Sequence, residues 1–384
     1  MNILIVNAGS VTIKYKLFTD NEQVLLAGEL DNENGKYVSK LLKNNEKFIW
    51  DITKNEFDNA AMLIKREVAA HAIDIIGFRV VHGADKFVAP TLLDEPTISK
   101  LAEFSHLAPL HNPRTITLIN KFKEVFSKHP IYAVFDTAFF KDLAPKAYMY
   151  GLPYEYYTHY GVRKYGFHGI AHQYIASELR RLEPTALKVI TCQLGGGASI
   201  TAINNCTAVD TSMGFTPQEG LMMATRSGDV DDGAIKYIQD KTSFSDAQME
   251  TIGNKSSGLL GISGYTADMR TLLADSKSGN ERAKLAIEMY VYRIQKYIGA
   301  YAAALNGVDA IAISGGVGAG SDIIRAKIFE KLQFLGFAID KDANDGKINV
   351  TEKLRISLDT SKPIWIIPGN EELQIYRQLL TIDE

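Results

Sequence analysis

Asp136, His168 and Arg226 are the side chains whose settings in the sequence most invite chemistry. Phe135-Asp136-Thr137 places a lone carboxylate straight after the apolar run Ile131–Phe135. In an open α/β sheet, the C-terminal ends of strands face the ligand crevice. Gly166-Phe167-His168-Gly169 isolates a histidine between glycines, an odd setting for a core histidine. Thr225-Arg226-Ser227-Gly228-Asp229-Val230-Asp231-Asp232 packs one arginine among three acids. Such an arginine either braces a transferring phosphoryl group or makes a local ion pair of little weight. Lys14, four residues after Ser10, either reaches a phosphate or is a solvated strand lysine. Glycine-bearing turns at Asn7–Ser10, Gln193–Gly197 and Gly315–Gly320 add backbone N–H groups able to approach an anion. Together these point to phosphate handling.

Other chemistries lack support. No Gly-x-x-x-x-Gly-Lys-Ser/Thr occurs, and Gly315-Gly316-Val317-Gly318-Ala319-Gly320 lies far from any first βαβ unit, with the wrong dinucleotide spacing. No His-x-x-x-His or Cys-x-x-Cys supports a tightly held transition metal. Magnesium arriving with a nucleotide needs only one or two protein carboxylates. His71, His82, His106, His129, His159 and His172 show no ligand-like grouping and read as ordinary.

The elements that must position these residues are strands alternating with amphipathic helices. Ile3–Val6, Ile73–Ile76, Ile131–Phe135, Val189–Cys192, Ala310–Ile313 and Ile364–Ile367 read as buried strands. Asp58–Ala72, Glu281–Leu305 and Asp322–Gly336 read as helices. In the second, Ala286, Tyr290, Ile294, Ile298 and Ala302 recur at helical spacing, and Asn306-Gly307 supplies a stop. The alternation implies an α/β protein. Ile3–Ser10 leading into Ile13–Phe18 is echoed by Val189–Ser199 leading into Ile200–Ile203. The echo is either a duplicated fold, one copy per domain, or two unrelated hairpins.

Composition bounds the rest. The 384 residues imply two or three domains. Lys and Arg number 42 against 45 Asp and Glu, a net charge of −3, which is no footprint for nucleic acid. Two cysteines, Cys192 and Cys206, make no disulfide framework, so a reducing, cytoplasmic setting is expected. The apolar start Met1–Val6 is one strand long without a basic flank, and no run is long enough to span a membrane.

Asp210–Asp229 (DTSMGFTPQEGLMMATRSGD) resembles the signature of the acetate kinase family almost letter for letter. Asn7–Ser10, Arg79-Val80-Val81-His82-Gly83, Ala108–Pro113, Phe135–Phe139, Tyr165–Gly169 and Asn370–Leu373 follow in the family's order. The resemblance runs from Asn2 to about Gln378. It implies a duplicated actin-like ATPase (ribonuclease H-like) fold with two domains around a nucleotide cleft, residues 1–139 plus 368–384 and 140–367. It also implies reversible transfer of the ATP γ-phosphoryl to acetate, giving acetyl phosphate and ADP, with magnesium or manganese, in a homodimer without nucleic-acid or membrane partners. Acetate is already ionised at neutral pH, so catalysis reduces to holding two anions together and neutralising charge.

Carried over by motif, Asn7 and Glu371 help position the metal. Arg79 pairs with the acetate carboxylate, Arg226 with the transferring phosphoryl group, and His168 donates to phosphoryl oxygens. Asp136 orients the metal's water shell and the arginines. Val81, Leu110, Phe167 and Pro217 match the methyl pocket. Ser10, Thr12 and Lys14 belong to the first phosphate turn, and Gln193, Leu194, Gly195, Gly196 and Gly197 to the second. Asp268, Met269 and Arg270, with Gly315, Gly316, Val317, Gly318 and Ala319, match the segments that hold adenosine. The two arginines are expected to be uncompensated.

Several positions depart from the family pattern. Gln193-Leu194-Gly195-Gly196-Gly197 stands for His-Leu-Gly-Asn-Gly, and Ala319-Gly320 for Glu-Asn. Val11-Thr12 replaces two serines, Phe140 a histidine and Asp232 a proline. Most of these lie in nucleotide turns, so the expectation is a working kinase with altered nucleotide affinity or base preference. The alternatives are a kinase for propionate or butyrate, and a degenerate nucleotide-binding relative without catalysis.

Overall fold

The expected strands fall into two sheets. The computed structural model describes every residue except Ser10, Asn34, Leu110, Asp383 and Glu384, together with the side chain of Glu33. The chain divides into two compact units, Met1–Lys141 with Asn370–Glu384, and Asp142–Gly369. These bounds lie two residues beyond the expected junctions, because the short helix Asp136–Phe140, with Phe140 buried, closes the first unit.

The first unit holds β1 (Ile3–Ala8), β2 (Thr12–Phe18), β3 (Val24–Glu33), β4 (Lys36–Lys43), β5 (Glu46–Asp51), β6 (Ile75–Val80), β7 (Thr91–Leu92) and β8 (Ile131–Phe135). Their order is β5-β4-β3-β2-β1-β6-β8-β7. All six residues of β1 are buried, the apolar run Ile3–Val6 together with Asn7 and Ala8, as befits a strand covered on both faces. The second unit holds β9 (Lys188–Leu194), β10 (Ala198–Asn204), β11 (Thr207–Thr211), β12 (Ala310–Ser314), β13 (Leu354–Arg355) and β14 (Ile364–Ile366), in the order β11-β10-β9-β12-β14-β13.

The echo in the sequence is a duplication of topology. From β1, two antiparallel steps lead to β2 and β3, and two parallel steps lead to β6 and β8. From β9, two antiparallel steps lead to β10 and β11, and two parallel steps lead to β12 and β14. Two unrelated hairpins would not share this order and sense.

Most expected elements shift by only one or two residues at an end, and three depart further. The strand expected at Ile73–Ile76 is β6, displaced downstream, so Arg79 lies within it. The helix expected over Asp58–Ala72 is two helices, Lys54–Asp58 and Ala60–Glu67, separated at Asn59. Thr53 and Glu56 form a capping box that starts the first helix earlier than its apolar spacing suggests. The helix expected over Asp322–Gly336 ends at Phe329, followed by a 3₁₀ turn at Gln333–Leu335.

The long helix spans Glu281–Ala304, and its apolar stripe faces the interior of the second unit. Asn306 and Gly307 take φ of 53° and 109°, and the Gly307 N–H returns to the Ala302 carbonyl at 2.9 Å, which stops it. The final helix, Glu371–Leu379, buries Ile375, Tyr376 and Leu379 in the first unit, with Tyr376 against Phe18 at 5.0 Å between ring centroids. Its N-terminus therefore comes to the end of β1.

Candidate functional site

In the first unit, the C-terminal ends of three neighbouring strands bring Asn7 (β1), Arg79 (β6) and Asp136 (directly after β8) together. Arg79 donates from Nε to Asp136 Oδ1 at 3.2 Å, from Nη2 to Oδ2 at 2.5 Å, and from Nη1 to Asn7 Oδ1 at 3.2 Å. Its Nε lies 3.6 Å from Glu371 Oε2. Asn7 Nδ2 donates to Glu371 Oε2 at 2.9 Å and Glu372 Oε1 at 3.0 Å, and Lys16 Nζ pairs with Glu372 at 3.0 Å. The final helix delivers both glutamates from its first turn, where its dipole favours anions. Lys16 also donates to Asn370, the N-cap of that helix, at 2.8 Å.

The expectation that Arg79 is uncompensated is therefore wrong. Three carboxylates (Asp136, Glu371, Glu372) face two cations (Arg79, Lys16). Burial disfavours the Arg79 charge, but Asp136 and Glu371 outweigh it and raise its pKa. Burial pushes the Glu371 carboxyl up, Arg79 pulls it down, and the Asp136 and Glu372 charges push it further up. Burial also works against Glu372, but Lys16 and Asn7 hold it below its ordinary value. This crowding of oxygen donors with a formal negative excess fits a hard divalent cation shared with nucleotide phosphates. Among the described residues no group of three or more His, Cys, Asp or Glu is disposed to cage a metal alone. Sequence reading missed Lys16 and left Glu372 without a role; only the fold brings them to Asn7.

The remaining first-unit candidates are less focused. Ser10 and Leu110 lie outside the described residues. Thr12 donates to Asp31 Oδ1 at 3.1 Å. Lys14 is half exposed, with only a loose contact to Glu29 at 3.9 Å, which favours the solvated alternative in the free protein. Val81 is buried, one residue past the end of β6.

In the second unit, Arg226 and His168 flank one glycine. A methyl group at Gly197 would sit 3.3 Å from His168 Cε1, 3.4 Å from its Nε2 and 3.5 Å from Arg226 Nη1. Arg226 Nη1 donates to the Pro217 carbonyl at 3.2 Å and contacts Met223 Sδ at 3.7 Å. No carboxylate pairs with it among the described residues, so the local ion-pair alternative fails. Burial lowers its pKa. The acids beside it in sequence are engaged elsewhere. Asp229 accepts from Gly220 N–H and from Tyr297 Oη, each at 2.8 Å, and meets Arg293 at 3.6 Å, while Asp231 caps the helix Asp232–Thr242.

The loop carrying Pro217 is braced from outside. Tyr150 Oη accepts the Phe215 N–H at 2.7 Å and donates to Glu219, while Lys164 Nζ reaches Glu219 Oε1 at 3.1 Å and the Thr211 carbonyl at 2.9 Å. Sequence reading assigned none of Tyr150, Lys164 and Glu219 a role, because the partners lie far apart in the chain. Phe167 is buried just before His168. His168 itself has φ of 57°, left-handed backbone that is uncommon outside glycine, at the N-cap of the helix Gly169–Leu182. Its Nδ1 lies 2.9 Å from Ser199 Oγ, which lies 2.8 Å from His172 Nε2, whose Nδ1 lies 2.7 Å from Thr191 Oγ1. His172, read as ordinary from sequence, is thus joined to His168.

A cleft of about 610 Å³ in the same unit collects Gly195, Gly196, Asp268, Met269, Arg270, Gly316 and Val317. Gln193, Leu194, Gly197, Gly315, Gly318 and Ala319 are not among its lining residues. Gly315–Gly320 is a short helix rather than the expected open turn. Gly315 has φ of 83° and a Cβ there would lie 2.4 Å from the Leu194 carbonyl oxygen, so only glycine lets the helix seat against β9. Asp268 caps the helix Met269–Lys277 and bonds Arg270, which holds its pKa at about 2. Arg325, without exposed surface, donates to Asn344 Oδ1 and the Gly318 carbonyl at 2.8 Å each and to the Lys347 carbonyl, tying the glycine helix to the segment whose Ile348 and Asn349 line the cleft.

A model of the acetokinase family matches residues 2–377. The acetate kinase of Pseudothermotoga lettingae is 43% identical over 401 aligned residues, covering 100% of this chain and 98% of that protein. The crystal structure of Porphyromonas gingivalis acetate kinase superposes with a TM-score of 0.91 at 36% identity over 100% of both chains. A propionate kinase from Francisella tularensis gives 0.91 at 34% identity over 98% of both. With the match to the family running through Asn7, Arg79, Asp136, His168, Arg226 and Glu371 alike, the chain belongs to the acetokinase family.

Proposed function

We propose that this enzyme transfers the γ-phosphoryl group of ATP to acetate, reversibly, giving acetyl phosphate and ADP. An acetate oxygen attacks the γ-phosphorus as the bond to the β–γ bridging oxygen breaks. The nucleophile is already an anion, so no residue need act as a base. The protein's work is to position two anions and neutralise the charge that gathers between them.

The observation that carries this reading is Arg226, a half-buried guanidinium with no carboxylate partner among the described residues, next to His168 at Gly197. Such a pair suits the equatorial oxygens of a phosphoryl group in transfer. Arg79 receives the acetate carboxylate, held in orientation by Asp136. Val81, next to the strand that carries Arg79, borders the methyl group, and the second-unit cleft takes the nucleoside. Magnesium, held with the phosphates by Glu371 and the group around Asn7 and Asp136, would supply further neutralisation of phosphate charge. A homodimer through the second unit rests on the family resemblance, and a cytoplasmic location on the two cysteines, too few for a disulfide framework. No helix among the described residues is long and apolar enough to cross a membrane.

The test is steady-state phosphorylation of acetate and propionate with ATP, GTP and pyrophosphate. Acetate with ATP or GTP should be turned over in the presence of magnesium. Inactivity with all three phosphoryl donors overturns the reading, and a preference for propionate moves it to the neighbouring acid. Mass in solution tests the dimer.

A further inference from the structure

We propose that Thr191, His172 and Ser199 form a proton-ordered chain that presents His168 with its single proton on Nε2. These three residues then act as positioning residues for phosphoryl transfer. The importance of the tautomer rests on the kinase reading, but the tautomer itself does not.

The four side chains form one row, with heavy-atom spacings of 2.7 Å (Thr191 to His172), 2.8 Å (His172 to Ser199) and 2.9 Å (Ser199 to His168). Thr191, His172 and Ser199 have no exposed surface. Burial, with the His168 charge as a smaller contribution, holds the His172 pKa well below its ordinary value, so that ring carries one proton. A hydroxyl has one proton and a neutral imidazole has one. With one proton on His168 as well, the row can run in only two complete directions.

In one direction, Thr191 Oγ1–H donates to His172 Nδ1 and His172 Nε2–H donates to Ser199 Oγ. Ser199 Oγ–H then donates to His168 Nδ1, and His168 keeps its proton on Nε2. Each of the three protons between neighbours in the row then has an acceptor, and the His168 Nε2 proton is left at the end of the row. In the other direction, His168 Nδ1–H donates to Ser199, Ser199 to His172 Nε2, and His172 Nδ1–H to Thr191. The Thr191 hydroxyl proton is then stranded, because His172 is the only side-chain hydrogen-bond partner of Thr191 Oγ1 among the described residues. A mixed arrangement in which Ser199 accepts from both rings strands the serine proton instead, since among the described residues the two histidines are the hydrogen-bond partners of its hydroxyl. A buried donor without an acceptor is disfavoured. The first direction prevails.

Its consequence lies at the exposed end of the row. The Nε2 edge of His168 faces the Gly197 position, where Arg226 Nη1 also points. A neutral N–H there offers a second donor to a phosphoryl oxygen without setting an imidazolium against the guanidinium. The opposite tautomer would turn a lone pair toward that oxygen.

The test is nitrogen-15 NMR of the full chain labelled at histidine, with long-range proton–nitrogen spectra that separate protonated from bare ring nitrogens. Signals are assigned with H168Q and H172Q. In the resting protein, His168 and His172 should both show a bare Nδ1 and a protonated Nε2. A bare Nε2 on His168 overturns the proposal, whether or not the protein is a kinase. In T191V the row loses its terminal donor, so His168 should become a mixture of tautomers. In that variant kcat should fall about tenfold with the KM values for acetate and ATP within about twofold. T191S keeps the hydroxyl and should restore both readouts. A T191V protein with unchanged tautomer and unchanged kcat overturns the proposal.

Discussion

Arg79 and Asp136 are joined by two hydrogen bonds, from Nε to Oδ1 and from Nη2 to Oδ2, with Asp136 almost wholly buried. A bidentate pair of planar groups fixes the guanidinium in direction as well as place. On the proposed reading, the pairing lets a carboxylate serve an anion-binding site without acting as a base. Replacing Asp136 by Asn keeps the shape and removes the charge. D136N should retain its circular dichroism spectrum but lose on the order of 10²-fold or more in kcat/KM for acetate. Activity within threefold of the native enzyme would contradict the positioning role.

Arg226→Ala removes a guanidinium that no carboxylate among the described residues neutralises. It should lower kcat by about 10²–10³-fold while the KM for acetate moves less than about threefold. A large rise in acetate KM at unchanged kcat would show instead that Arg226 holds the ground-state acid.

Val81 is buried and follows directly on the strand that carries Arg79. Val81→Ala opens room for about one methylene. The ratio of kcat/KM for propionate to that for acetate should rise by about tenfold, as expected for one methylene in an apolar pocket. An unchanged ratio would place the acid's tail elsewhere.

Arg325 is a buried cation held by two carbonyls and an amide oxygen. Burial lowers its pKa to about 10. Arg325→Met strands those acceptors and unties the glycine helix from Ile348 and Asn349. The variant should unfold more easily by roughly 2–4 kcal/mol, and its KM for ATP should rise more than its KM for acetate. Equal effects on both would argue for a general loss of fold.

Glu67 provides a stability test apart from catalysis. It accepts from Tyr15 and, at 3.4 Å, from Ser39, and burial raises its carboxyl from 4.5 to about 7. Below pH 4.5 the group is neutral in both folded and unfolded chains and carries no penalty. As pH rises from there to about 7, the unfolded chain ionises first, so the folded state loses stability, and above pH 7 the loss is constant. Glu67→Gln should therefore stabilise the protein at pH 8, by roughly 1–3 kcal/mol, and leave it unchanged at pH 4. Denaturant melts at the two pH values decide it.

Much of this was open to reading in the chain itself. The apolar runs at Ile3–Val6 and Val189–Cys192 identify both central strands, since a strand covered on both faces has no room for alternation. The residues Asn7, Arg79, Asp136, His168, Arg226 and Glu371 each fall within a motif. Boundaries were less legible. The helix at Lys54 begins at a capping box rather than at an apolar repeat, and the strand bearing Arg79 runs on to Val80, past its most apolar stretch.

Residue types along the chain determined the central strands and placed Asn7 and Asp136 at or just past strand ends, while the duplication of the sheet stayed one of two alternatives. Local hydrophobic period and glycine placement act over a few residues, and both are written in order. Only the tertiary structure decided which charges neutralise one another. Asp136 and Glu371 compensate Arg79, while Arg226, beside three acids in sequence, meets no carboxylate among the described residues because Asp229 turns to Tyr297 and Arg293. It also joined His172 to His168 through Ser199. Coulomb interactions and hydrogen bonds depend on distance in space, and Asn7 and Glu371, hundreds of residues apart, meet only once the last helix returns to the first strand.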